Sequence, residues 1–182
     1  ITGDDIEREY VLNELSSHRV VATIAKDPSR LTTLKQRFQS EGKSLLRVSH
    51  LTQDSIDEGL QKVLLESFED ILDTVDLVVF SDFNYGCLPQ PLVDQIITKS
   101  KNANKIIVAD SQSSSQVGDI SRFQGMDIVF ATEREARISL QNSEDGLVVL
   151  AEKLRIKANA NNVFLSSIAI VIGPTPPGTG VI

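Results

Sequence analysis

Three short apolar runs, each closing on a polar cluster, set the pattern of this chain. Leu77-Val78-Val79-Phe80 runs into Ser81-Asp82-Phe83-Asn84-Tyr85-Gly86. Lys105-Ile106-Ile107-Val108-Ala109 runs into Asp110 and a polar loop from Ser111 to Gln116, and Ile128-Val129-Phe130 is trailed by Thr132-Glu133-Arg134-Glu135. Runs of this length without alternation read as buried strands. Behind Pro89, the residues Leu92, Val93, Ile96 and Ile97 fall at helical spacing. Repeated strand, polar loop and helix predict an α/β domain with a mostly parallel sheet. In such sheets ligands bind at the carboxyl ends of the strands.

The strongest helical periodicity lies between Ser55 and Val75, where Ile56, Leu60, Val63, Leu64, Phe68, Ile71, Leu72 and Val75 step by three and four. Near the start, Ile6, Tyr10, Leu12 and Leu15 fit one face of a first helix behind Gly3-Asp4-Asp5. Val20 to Ala25 and Leu31 to Phe38 read as β-rich, Gly42 as a turn and Leu45 to Val48 as a returning strand. These predict a small antiparallel sheet over residues 19–49, inserted ahead of the parallel one. Residues 133–141 and 144–158 read as two helices broken near Gln141-Asn142-Ser143. Val163 to Leu165 begins a further strand, which Ile168 to Ile172 continues or repeats. The Pro- and Gly-rich tail from Gly173 to Gly180 suits neither helix nor central strand.

The 182 residues suit a single domain, 1–182, and a hydrophobic content of 41% is ordinary for a globular protein. A net charge of −7 without a basic block argues against nucleic acid and against a membrane surface as partners. The single Cys87 forms no internal disulfide, and with His18 and His50 it makes no metal-ligand spacing. A reducing, cytoplasmic location is the expectation. The chain opens on Ile1 rather than Met, so a piece of a longer protein is expected.

Asp82 and Asp110 each follow a parallel strand, where a carboxylate can bind Mg²⁺, accept sugar hydroxyls or act as a base. An Asp there also caps the loop that follows. Thr132 and Glu135 make a T-x-x-E capping box, with a second reading that sets Glu135 near a hydrated Mg²⁺. Lys35 and Arg37, two apart on one strand face, can reach an anionic substrate or protect a strand edge. Cys87 lacks a basic neighbour in sequence and is a poor nucleophile candidate, and His18 suits a helix end.

Several of these segments resemble one family. Ser29 to Arg37, followed by Ser44 to Val48, is similar to the P-T-x-x-K-x-R … Q-x-L-x-R-x-D lid region of ribokinase-like (PfkB) carbohydrate kinases. Ser81-Asp82-Phe83-Asn84-Tyr85-Gly86 resembles S-D-Y-x-K-G of the D-glycero-β-D-manno-heptose-7-phosphate kinase branch, which serves ADP-heptose synthesis. Asp110 matches the Asp of that branch's D-P-K, Ala131 to Glu135 its P-N-x-x-E, and Gly3-Asp4-Asp5 its G-D-D. The resemblance spans residues 1–165. Tyr85 stands for Lys, Ser111-Gln112 for Pro-Lys and Thr132 for Asn.

The resemblance implies a three-layer α/β/α ribokinase-like domain whose β lid, residues 19–49, closes over a sugar. It implies ATP and Mg²⁺ as cofactors, with Asp110, Thr132 and Glu135 on the nucleotide side and Glu135 reaching the metal through water. Lys35, Arg37, Asp82 and Asn84 fall on the side of a phosphorylated, heptose-like sugar. The glycine-rich segment and the G-A-G-D signature, with its catalytic Asp, have no match in this chain; if Gly178-Thr179-Gly180-Val181 is a remnant of the latter, Val181 stands where the base belongs. The expectation is a partial kinase, nearly inactive alone. The alternative is a non-catalytic nucleotide- or sugar-binding or dimerisation module on the same fold. Exposed strand edge and apolar residues such as Leu45 and Val48 predict a homodimer through the lid.

Overall fold

The computed structural model describes residues 1–111 and 118–166. Helix α1 (Ile6–Ser17) is followed by a hairpin of β1 (Leu34–Ser40) and β2 (Lys43–His50), then α2 (Glu58–Leu72). The main unit runs β3 (Leu77–Asp82), α3 (Gln90–Asn102), β4 (Ile106–Ser111), a 3-10 turn at Ile120–Arg122, β5 (Ile128–Thr132), α4 (Glu133–Leu140), α5 (Leu147–Lys157) and β6 (Asn162–Ser166). Its four strands pair in parallel in the order β3-β4-β5-β6. The expected α/β class, with a mostly parallel sheet and a small antiparallel one, is what the chain forms. The Ile168 to Ile172 strand, Gln112 and the Gly178 to Val181 motif lie outside the described residues.

Strand order explains where the core sits. Each strand is added on the same side of its predecessor, and right-handed crossovers then carry the connecting helices to one face. On that face Phe80, Ile107, Ala109, Val129 and Ala131 pack against Leu92, Val93, Ile96 and Ile97 of α3. Ile120, Phe123, Met126, Ala136, Leu150 and Leu154 complete the cluster. The alternate residues point the other way. Leu77, Val79, Ile106, Phe130 and Phe164 are exposed, Val79 by 54% and Phe164 by 56%, and Phe130 stacks on Phe164 with ring centroids 5.5 Å apart. The uninterrupted apolar runs are therefore strands with two apolar faces, of which the described helices cover one.

Four local readings differ in detail. The predicted apolar face of α1 is not buried; Ile6 is 74% exposed and the helix has no buried residue. Residues 20–25 form no strand, and the only pairing there is an isolated parallel bridge between Thr2 and Lys26. Strand β1 begins at Leu34 rather than Leu31, because Thr32 is committed elsewhere: its N–H donates to Asp5 Oδ2 at 2.7 Å and its Oγ1 accepts from Gly3 N at 2.9 Å. Helix α5 starts at Leu147, since Asn142 Oδ1 accepts from Glu144 N and Asp145 N and so caps a turn ahead of the helix.

Candidate functional site

The carboxyl ends of β4, β5 and β6 and the start of α4 frame an open groove of about 1820 Å³. Asp110, Thr132 and Glu135 all line it, joined by Glu133, Arg134, Arg137 and Asn142. Strand alternation brings Asp110 there: Ile107 and Ala109 face the helices, so Asp110 faces away from them. Thr132 ends β5 and caps α4 in a full capping box. Its N–H donates to Glu135 Oε2 at 2.7 Å and its Oγ1 accepts from Glu135 N at 3.3 Å. That box buries Glu135 and fixes the direction of α4. Arg137 ties α4 to the next turn by donating to Glu133 at 2.7 Å and to the carbonyls of Asn142 and Asp145.

The groove is larger than the 300–1,000 Å³ or so usual for a small-molecule site. The excess is apolar: its floor is the uncovered sheet face, with Leu77, Val79, Ile106, Ile128, Phe130 and Phe164. Polar chemistry is confined to the upper edge, where Asp110, Glu133 and Arg134 supply charge of both signs. Among the described residues no cluster of three or more His, Cys, Asp or Glu could hold a metal ion by itself. Mg²⁺ usually takes only one or two carboxylates, completing its shell with water and phosphate oxygens, and the carboxylates lining this groove are Asp110, Glu133 and Glu135.

Asp82 lies beyond this groove, on the helix-covered side of β3. It is buried and paired with Arg122 Nη2 at 2.9 Å, and it accepts the Asn84 N–H at 2.9 Å. Arg122 also donates to Leu88 O and Gln90 Oε1 and lies 4.4 Å from the Phe123 ring centroid. These contacts make Asp82 an anchor of the β3–α3 loop. Asn84 adopts a left-handed φ of 60° and donates to Ser111 Oγ at 3.4 Å, joining the loops after β3 and β4. Gly86, at φ 73°, comes so close to Asp54 that a Cβ there would lie 2.0 Å from the Asp54 carbonyl oxygen. Only glycine fits this turn.

The hairpin is tied to the same loop at its root by Arg30. Its Nε donates to Asp27 Oδ2 at 2.7 Å, Nη2 to Asp54 O at 3.1 Å and Nη1 to Tyr85 O at 3.3 Å. The Ser29 hydroxyl, then Arg30, hold the Asp27 carboxyl below the usual carboxylate range against the opposing effect of burial. Asp5 is lowered too, chiefly by the Thr32 hydroxyl and N–H, and it caps α1 through Arg8 N. Lys35 extends from β1 to the rings of Phe83 and Tyr85. Arg37 is exposed and pairs across the hairpin with Arg47. Cys87 lies 4.0 Å from Arg30 Nη1, and His18 caps α1 through the Glu14 carbonyl.

The structure therefore gathers Asp110, Thr132 and Glu135 in one place, and Asp82, Asn84 and Lys35 around the neighbouring β3–α3 loop. Sequence reasoning missed Arg30, Arg122 and Arg134. Arg30 and Arg122 contact residues dozens of positions away, so no local spacing marks them; Arg134 sits inside a motif already noted, between two acids.

No protein-family model matches the chain. It is 25% identical over 171 residues to "Bifunctional protein HldE" of Helicobacter pylori strain Shi470, covering 93% of this chain and 36% of that protein. The protein of the same name from Paramagnetospirillum magneticum strain AMB-1 is 26% identical over 158 residues, 85% of this chain and 32% of that protein. The chain thus spans about a third of the length of these curated relatives. Among solved structures, ribokinase from Giardia lamblia superposes with a TM-score of 0.71 at 16% identity, over 91% of this chain and 54% of that one. Phosphofructokinase-2 from Escherichia coli in complex with fructose-6-phosphate gives 0.64 at 12% identity, over 91% and 55%.

Proposed function

From a chain that has the ribokinase-like (PfkB) kinase fold and kinship with proteins named HldE, we propose part of an ATP-dependent sugar kinase acting on a phosphorylated, heptose-like sugar. The observation that carries this is the gathering of Asp110, Thr132 and Glu135 at the carboxyl ends of neighbouring parallel strands, on the same groove. Asp110 and the start of α4 take the phosphate end of the nucleotide. Asp110 and, through water, Glu135 would face a bound Mg²⁺, which would supply charge neutralisation at the phosphates. Arg134 adds a cation at the same edge.

Lys35 and Arg37, on the hairpin that forms the lid within residues 19–49, meet the anionic group of the sugar. Asn84 lies on the same side, and Asp82 contributes by holding the loop that carries it. Residues 1–182 act as one domain. The chain on its own binds nucleotide and turns it over poorly, because lack of the general base costs about 10²–10⁴-fold. Two copies associate through their hairpins, where Val48 is half-buried but Leu45 is 70% exposed and Phe38 and Leu46 are exposed as well. Among the described residues no helix is long and apolar enough to cross a membrane. The proposed setting is the cytoplasm, with small molecules rather than nucleic acid as ligands.

A second reading, a non-catalytic binding or dimerisation module, draws on the altered motif positions. Thr132 is used in the α4 cap and Ser111 accepts from Asn84, so both serve structural contacts. Titration calorimetry with Mg²⁺ and a non-hydrolysable ATP analogue, then with a heptose 7-phosphate, separates the kinase reading from a module that binds neither ligand. Micromolar nucleotide binding that Asp110→Asn abolishes supports the kinase reading. No binding of either ligand sinks it in favour of the module. Sedimentation as a monodisperse monomer would remove the hairpin dimer from both.

A further inference from the structure

Among the candidate substrate residues, Lys35 reaches from the hairpin to the loop after β3. Its ammonium lies 5.0 Å from the Phe83 ring centroid and 5.2 Å from that of Tyr85. The two rings are stacked, 6.0 Å apart at 22°. Both belong to the loop after β3, the loop that Arg30 ties to the hairpin root through the Tyr85 carbonyl. The hairpin is thus held twice: at its base by Arg30, which is paired with Asp27 and donates to the Tyr85 and Asp54 carbonyls, and near the start of β1 by a cation against two rings.

These two holds differ in kind. The buried pair has both partners desolvated and further hydrogen bonds from Arg30 to backbone carbonyls, so removing either partner is costly. Lys35 is exposed, and a cation over aromatic rings at an exposed site biases an equilibrium by only about two- to five-fold. A phosphate group, with its full charge and strong acceptor oxygens, is a better partner for an ammonium than a ring face. Tyr85 matters here. A lysine in its place, as in the motif this loop resembles, would repel Lys35, whereas the tyrosine ring attracts it.

We propose that Lys35 is a parked anion ligand: without substrate its ammonium rests on the Phe83–Tyr85 pair and latches the hairpin to the β3–α3 loop, and an entering phosphate group competes for it. This deepens, and rests on, the assignment of Lys35 to the sugar-phosphate side. The latch sets a threshold that a dianionic phosphate passes and a neutral sugar does not.

The test is the NMR signal of the Lys35 Hε protons in the intact chain, identified by its loss in Lys35→Arg, with inorganic phosphate as probe at constant ionic strength. Parked over two rings, these protons resonate upfield of the other exposed lysines. Phe83→Leu and Tyr85→Leu each remove part of that shift, and circular dichroism verifies that each variant remains folded. Millimolar phosphate moves the signal toward the ordinary lysine position, and sodium chloride does not. A Lys35 signal at the ordinary position from the start overturns the proposal. So does an upfield signal that phosphate leaves in place, whereas nucleotide binding at Asp110, Thr132 and Glu135 reports on the kinase reading by a separate measurement.

Discussion

The two faces of the four-stranded sheet carry similar residues and meet opposite fates. On one, Phe80, Ile107 and Val129 are sealed under α3, α4 and α5; on the other, Leu77, Val79, Phe130 and Phe164 stand in the open. Composition does not distinguish them. Topology does, since strands laid down in the order β3-β4-β5-β6 send their crossovers to a single side. A parallel sheet with two apolar faces is built to be covered twice. Among the described residues only one of those faces has its helical layer.

The largest test of this contrast uses a pair of carboxylates on neighbouring strands and opposite faces. Asp82 is buried against Arg122, so Asp82→Ala leaves a guanidinium without its buried partner, and we expect a loss of roughly 3–5 kcal/mol in urea unfolding. Asp110→Asn on the open side should cost less stability than Asp82→Ala while removing nucleotide binding. Equal stability losses would mean that the two faces are not as different as they look.

Next comes apolar truncation. Leu92→Ala, at a fully buried position on α3, should cost about 2–5 kcal/mol, whereas Val79→Ala should cost about 0.5 kcal/mol or less. A large effect at Val79 would show the open face to be covered in solution. Thr132→Ala falls between the faces, at the strand end that starts α4, and loss of its capping interaction should cost about 1 kcal/mol. Thr132→Ser, which keeps the hydroxyl, should restore most of it.

Much of this was legible in the sequence because hydrophobic periodicity is local. The runs at Leu77, Ile106 and Ile128 marked β3, β4 and β5, and the three-and-four spacing after Ser55 marked α2. Which face each carboxylate takes was not read, although alternation contains it: Asp82 follows Phe80 by two, and Asp110 follows Ala109 by one. That parity becomes informative only once the covered face is known, and coverage is a property of topology. The root of the hairpin was hidden for another reason. Thr32 meets Asp5 and Gly3 across nearly thirty residues, and Arg30 meets Tyr85 across more than fifty, so the start of the β-rich run from Leu31 to Phe38 yields to contacts no window contains.

The smallest expected effect concerns acid, and it separates the 3-10 turn and the hairpin root from the open face. At the cap of the 3-10 turn, partial burial pushes the Asp119 carboxyl up, but hydrogen bonds from Ser121 and Ser139, with Lys157 nearby, hold it below the usual range. Asp27 and Asp5 at the hairpin root are lowered as well, mainly by Ser29 and Thr32 respectively. A carboxylate whose folded pKa is depressed contributes its full stability above its unfolded value, near 3.9, and loses it as pH falls through the folded pKa. The urea midpoint should therefore hold from about pH 7 to 5 and decline below about pH 4. Asp119→Asn should lower the midpoint at pH 6 and shrink that decline, since the group that titrates is gone. In NMR spectra over the same range, amides of the 3-10 turn and of residues 27–32 should shift only once the pH has fallen below the usual carboxylate range, as expected of lowered pKa values. Simultaneous loss of all signals at one pH would mean that acid acts on the whole molecule rather than on these tethered carboxylates.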